Sequence, residues 1–330
     1  MRACLDRLAP GFDPASFMSL IPSPTTDSPS VLMRQSTMAL VFAVALAGAA
    51  VLVGWGPVHL VPHMHQFADQ ATVSGIPYGW LVLSHLPLIP IGFWGMWRVS
   101  RLPKGEPLRW IWGCFFCCQM MATTGGMVYH WAPSDLTFIW DQVPKSAAST
   151  LFALAFVAER IDRRFGSPVA VLSGLILPLL GGIWWLYSLQ VWGEGDLRLL
   201  IWLELSPMTL VATGAWTLHG HLLTRADWLR SQISFAVAQT VDWGDKAIHE
   251  ATGSAISGHA VRHLALAACV GWVAYRLGAP GRQLQAELAA AQKHEAALRT
   301  ASMAASMAQA QGRRGLQASD TSLPDSRLAS

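Results

Sequence analysis

Eight runs of mostly apolar residues constrain this chain more than any motif in it. They cover 37–58, 77–99, 109–130, 142–160, 168–189, 197–217, 230–247 and 256–277. A helix rising about 1.5 Å per residue needs roughly 20 residues to cross about 30 Å of hydrocarbon. In lipid each backbone N–H and C=O must be satisfied inside its own segment, so runs of this length are expected to be helices. The seventh run is interrupted by Gln239, Asp242 and Asp245. Composition agrees: 52% of the 330 residues are hydrophobic and 13% are charged, against roughly a quarter charged in soluble domains. Sixteen Trp outnumber four Tyr, and indole rings suit the boundary between lipid and water. The class expected is all-α, a polytopic transmembrane helical bundle.

Basic residues orient the bundle. The links near Arg98, Arg101 and Lys104, near Arg160, Arg163 and Arg164, and near Arg225 and Arg230 are basic, as is the tail with Arg276, Arg282 and Lys293. The links 59–76, 131–141, 190–196 and 248–255 contain no Lys or Arg. This alternation follows the positive-inside rule and places both Arg34 and the C-terminus in the cytoplasm of a cell with an inner membrane. Residues 1–36 are expected to be a disordered leader or sequence ahead of a later start at Met33 or Met38. Segment 37–61 is then an N-terminal transmembrane helix, 62–278 the main membrane domain, and 279–330 a cytoplasmic tail rich in Ala and Gln. A net charge of +3 without a basic block gives no reason to expect nucleic acid.

With that orientation, the ionisable residues inside the runs gather in one layer toward the periplasmic side. His130 closes the third run and Asp141 opens the fourth. Glu204 lies in the sixth, Asp242 and Asp245 in the seventh, and His259 and His263 open the eighth. Ionisable groups inside a membrane are costly and by default mark a site. His259 and His263 are four apart, so they share a helix face about 6 Å apart along the axis. Two imidazoles so placed can grip one metal ion, with a third from another helix completing the set. A structural polar cluster is the other reading. Ser84 and His85, midway along the second run, are read as packed or hydrogen-bonded groups without a catalytic role. The link HLVPHMHQFADQ, with His59, His63, His65 and Asp69, is read as an ordinary wet loop. Cys114, Cys117 and Cys118 are read as packed thiols, and His219 and His221 fall on the opposite side.

Three strings carry a family resemblance: YHWAPSDLTFIWDQVP at 129–144, GDLR at 195–198 and SGHAVRHLALA at 257–267. They resemble the ceramidase-like membrane proteins, which include the alkaline ceramidases and belong to the CREST superfamily of membrane hydrolases. FADQATVSGIP at 67–77 is similar to the segment before the first core helix of bacterial members. The resemblance implies a seven-helix core preceded by one extra helix. It implies a Zn2+ ion held by His130, His259 and His263, with Asp141 assisting the attacking water. The implied reaction cleaves the amide of ceramide-like lipids to a fatty acid and an amine, the partners being a membrane lipid and the bilayer.

The chain departs from the family at several positions. Gly126 stands where the family has Ser one turn before the first His, and no Asn occurs at Tyr78, Leu81 or His85. No run matches the carboxylate-rich calcium site of the animal enzymes. A serine restored at Gly126 is therefore expected to supply a missing donor and raise activity. Asp245 and Arg262 are read either as partners that orient the ligands or as a structural salt bridge. Two further readings come from other classes: a non-catalytic scaffold or receptor-like protein pinned by zinc, and a haem protein. The haem reading is disfavoured because His259 and His263 share a face.

Overall fold

A computed structural model describes residues 31–60, 64–216, 218, 220 and 222–278. The expectations for the leader before Val31, for the tail after Gly278, and for His63, His219 and His221 lie outside the described residues. Among those described, the protein is all-helical: α1 (Val31–Trp55), α2 (Gly79–Leu83), α3 (Leu88–Ser100), α4 (Leu108–Trp131), α5 (Asp135–Arg160), α6 (Pro168–Trp192), α7 (Arg198–Gly214), α8 (Arg225–Trp243), α9 (Asp245–Ala251) and α10 (Gly258–Leu277). One 3₁₀ turn, Arg163–Gly166, joins α5 to α6.

Sequence chemistry sets the helix starts. Ser134 caps α5 by accepting from the Thr137 N–H, Thr224 caps α8 through Asp227, and Ser257 caps α10 through Ala260. Ser167 with Pro168 opens α6. Four stretches are long and apolar enough to cross a membrane: Gln35–Trp55, Gly79–Ser100, Leu108–Trp131 and Pro168–Trp192. The remaining long helices carry more charge, as with Asp135, Asp141, Lys145, Glu159 and Arg160 on α5.

Two expected spans are interrupted. The second is broken between Leu83 and Leu88, where Pro87 has no N–H and its ring would strike the Leu83 carbonyl in a continuous helix. The seventh ends at Trp243, and Gly244 turns the chain into the short α9.

The main core forms where α4, α5, α8 and α10 meet, around Trp112, Phe116, Leu151, Phe156, Trp228 and Val270. A second cluster of Phe67, Leu81, Tyr129, Phe138, Trp185 and Leu200 lies under the segment before α2. Outside these cores the surface is strongly apolar. Leu172, Ile176, Leu179 and Ile183 of α6 and Leu40, Leu46, Val51 and Val53 of α1 are all exposed. Such a surface suits lipid and would be an aggregation patch in water.

Asp196, in the link before α7, locks α1 to the bundle. Its carboxylate is 1% exposed and accepts from Arg198 Nη2 at 2.8 Å, Trp184 Nε1 at 3.0 Å and the Val58 N–H at 3.3 Å. The Leu197 N–H donates to Val58 O at 2.8 Å, and Trp202 Nε1 donates to Ala45 O at 3.1 Å. Burial alone would raise the Asp196 pKa, but the hydrogen bonds from Arg198, Trp184 and Val58 outweigh it and hold it at about 2. An unfolded Asp titrates near 3.9. A depressed pKa contributes stability above the unfolded value and loses it as pH falls through the folded one. Thermal unfolding in detergent should therefore show Asp196-dependent stability intact above about pH 5 and fading between about 4 and 2. Asp196→Asn should flatten that fall and cost about 2 kcal/mol at neutral pH.

Candidate metal centre

The break between α2 and α3 builds one wall of the site. There the His85 N–H bonds Val82 O, three residues back, so the Leu81 carbonyl loses its helical partner. Leu81 O accepts instead from the Ser84 hydroxyl at 2.7 Å and from His85 Nδ1 at 2.9 Å. A carbonyl only accepts, so His85 carries its proton on Nδ1 and its Nε2 is bare. The Ser84 hydroxyl has spent its one hydrogen on Leu81, so at 2.7 Å it accepts from His263 Nδ1. His263 Nε2 is bare as well.

The third imidazole is fixed by a carboxylate. His259 Nδ1 donates to Asp242 Oδ1 at 2.6 Å, leaving its Nε2 bare at 3.3 Å from His130 Nε2. His130 Nδ1 is buried without a hydrogen-bond partner, so its only polar contact is the His259 Nε2. Three imidazoles thus turn lone pairs into one space that also holds His130. Hydrogen-bonding the far nitrogen of a ligating imidazole is how proteins orient it toward a metal.

His85, His130 and His263 are all buried, and one ring nitrogen from each lies within 4.8 Å of the others. This triad can hold a metal ion. His85, expected from the sequence to be a packed or hydrogen-bonded group without a catalytic role, is one of its three members. It sits 3.8 Å from His263 and 5.3 Å from His130, centroid to centroid. His259 flanks the triad, its ring centroid 4.9 Å from His130 and 4.7 Å from His263. The grouped triad thus has His85 in the place where the resemblance implies His259, and His259 lies beside it through its contact with His130 Nε2. Pro87, two residues beyond His85, is the one sequence signal that could have singled this histidine out.

Glycines bring α5 against α4. A Cβ at Gly125 would strike the Trp140 carbonyl oxygen, so only glycine admits α5 here. A Cβ at Gly126 would collide with His85 Nε2 and lie 3.1 Å from Asp141 Oδ1. The space in which a serine was expected to help is already filled by the His85 ring. Asp141 faces this space, with its other oxygen accepting from Lys145 Nζ at 3.1 Å.

Both residues read as orienting partners touch the site. The Asp245 carboxylate accepts the His259 N–H at 2.9 Å and the Ala68 N–H at 3.0 Å, tying the segment before α2 to the start of α10. Arg262 Nη1 donates to Asp242 Oδ2 at 3.0 Å, and Gln142 donates to Glu204 Oε2 at 2.7 Å. Phe67 closes the outer side, its ring centroid 4.7 Å from His130 and 4.9 Å from His259.

The described link histidines, His59 and His65, are occupied elsewhere. His59 lies 3.3 Å from Glu194, and His65 bonds the Tyr129 hydroxyl at 2.9 Å and Asp135 at 3.0 Å. Asp69 accepts from the Ala71 N–H at 2.9 Å. Cys114, Cys117, Cys118 and Cys269 are free thiols and take no part in the imidazole cluster.

The imidazoles and Asp141 open onto one cavity of about 770 Å³ bounded by α4, α5, α7, α8 and α10. Its buried or half-buried charges are Asp141, Glu204, Asp242 and Asp245 against Lys145 and Arg262, with Lys246 exposed at the rim. Four carboxylates against two cations leave a negative excess that suits a bound cation. No family model, curated protein or solved structure matches the chain. What the cluster can do follows from its own geometry.

Gly126→Ser should push His85 out of the cluster and weaken metal binding by roughly 10–100-fold, the usual cost of disturbing a group that orients a ligand. Competition with a chelating dye measures this. A Gly126→Ser protein that binds metal as tightly as wild type and hydrolyses amides faster would restore the serine expectation.

Proposed function

We propose that this protein is a zinc-dependent membrane amidohydrolase acting on ceramide-like lipids. The observation that carries the reading is the convergence of bare imidazole nitrogens beside Asp141 at the head of a deep cavity. Imidazole is the usual nitrogen ligand of zinc, and a three-histidine set leaves a position open. Zinc bound there would supply a Lewis acid for the amide carbonyl and acidify a water. Asp141 would accept that water's proton and return it to the leaving amine. Lys145 holds the Asp141 carboxylate in place. Asp242, anchored by Arg262, keeps the His259 lone pair turned inward.

The lining suits a lipid that enters from the side. It includes Leu88, Phe138, Ile201, Met208 and Leu266, and at its edge the exposed Leu205 of α7 and Trp243 of α8. Exposed indoles support a membrane-spanning bundle with this head near one boundary, and the distribution of basic links favours the periplasmic one. Trp55, Trp131, Trp140, Trp192 and Trp243 mark one end, and Trp97, Trp110 and Trp216 the other. On α4, Trp110 and Trp131 are 21 residues apart. That is about 32 Å of helix, close to the thickness of the hydrocarbon layer.

A specific feature favours a second reading. If His85 and His259 both ligate with His130 and His263, four imidazoles close the coordination sphere, as in structural zinc sites. The protein would then be a zinc-pinned scaffold.

Purified protein should carry about one zinc per chain. His263→Ala should lose it, whereas Asp141→Asn should keep the metal and lose hydrolysis of amide lipids. Wild-type protein that is metal-free when prepared without chelators refutes the site. Bound zinc with no amidase activity across amide lipids decides for the scaffold. Reporter fusions after Lys104 and Arg164 should report cytoplasm, and those after Asp135 and Glu194 periplasm. Reversal at any two of these positions overturns the orientation.

A further inference from the structure

Away from the imidazoles the cavity is lined by Phe115 and Phe152, with Trp228 packed behind them. Phe115 of α4 and Phe152 of α5 meet at 6.1 Å between centroids, and Phe152 meets Trp228 of α8 at 4.8 Å. One turn nearer the imidazoles on each of the same three helices stands a polar side chain: Gln119, Ser149 and Gln232. Residues three or four apart on a helix share a face, so the three gather in the volume directly over the rings. All three line the cavity. Gln119, Ser149 and Gln232 lie eleven, eight and ten residues inward of His130, Asp141 and Asp242 respectively. That places them about 12–16 Å from the site along the helix axes.

A cavity built only for hydrocarbon would not carry this band. Gln232 is 9% exposed, and its carboxamide oxygen is buried without a hydrogen-bond partner. Gln239, two turns closer to the site, also has an unpartnered buried oxygen and lines the same cavity. A plain methylene chain lying against them would leave these oxygens without a donor, a loss rather than a gain. Among the described residues no charged side chain lines the cavity at this level, and Lys246 is exposed at the opposite rim. Lys145 is paired with Asp141, and Glu204 takes Gln142 and Arg262.

We propose that the cavity binds an acyl chain bearing a hydroxyl well removed from its amide, with the hydroxyl seated among Gln119, Ser149 and Gln232. A hydroxyl both donates and accepts, so it satisfies a carboxamide in either orientation, whereas a ketone cannot donate to the Gln232 oxygen. The position of the amide rests on the lipid-amide reading above. The seat of the hydroxyl rests only on the cavity and its unpartnered oxygens.

The test is binding rather than turnover. Full-length protein in nanodiscs is loaded with a fluorescent fatty acid. It is then titrated with a mid-chain hydroxy fatty acid or with the saturated fatty acid of equal length. The hydroxylated chain should bind roughly tenfold more tightly, the worth of one satisfied buried hydrogen bond. The double variant Gln119→Leu, Gln232→Leu should lose that preference. It should keep its zinc and melt no lower than wild type, because leucine fills a similar volume and needs no partner. Equal affinity for the two chains in wild type means that the band merely holds water, and overturns the proposal. So does a preference that survives in the double variant, or the failure of both probes to displace the fluorophore. Zinc content and hydrolysis of a saturated-chain amide, read on the same samples, report separately on the amidohydrolase reading.

Discussion

Pro87 cannot continue a helix, and the Leu81 carbonyl that loses its helical hydrogen bond in the break beyond it organises the centre of this protein. That one oxygen accepts from both Ser84 and His85. Ser84, its hydrogen committed, can then only accept from His263. Two imidazoles on separate elements thereby have their tautomers fixed by a single backbone group. In a low-dielectric interior an unpaired polar group is costly, so a broken helix persists only where its freed groups find partners. Here the partners are the site itself.

Charge organises the opposite wall. Asp242 lies between His259 and Arg262, and Arg262 reaches on to Glu204 at 3.9 Å. Asp245 accepts backbone N–H groups from both Ala68 and His259, so it ties the segment before α2 to the first turn of α10. Phe67, carried on that segment, then packs its ring against His130 and His259. Because each carboxylate serves two partners, the loss of one would disturb both the histidine it aims and the backbone or side chain it anchors.

The approach of α4 and α5 decides what stands beside the imidazoles. Gly125 admits the backbone of α5, and Gly126 gives its space to the His85 ring. A side chain at position 126 and an imidazole at position 85 compete for one volume, so the glycine at 126 and the placement of the His85 ring are a single structural fact. Deeper in the same cavity, the polar band over Phe115, Phe152 and Trp228 arises from three helices meeting at one level.

Much of this was legible in the sequence, because hydrophobic runs and helical spacing are local properties. The runs marked where helices form. The spacing of His259 and His263 placed both on one face, and the shared layer brought His130, Asp141 and Asp242 near them. His85 was not legible in this way. Four residues of spacing say which side chains share a face, but not that a proline-broken helix turns one ring toward another helix. Nor could the sequence show that Lys145 holds Asp141, that the Gly126 space is filled, or that Gln119, Ser149 and Gln232 share a level. The chain alone marked its helices and the ionisable residues they carry, since both are read from local periodicity and residue type. Which nitrogens face one another, and which oxygens are left without partners, was decided only when helices distant in sequence closed on a common volume.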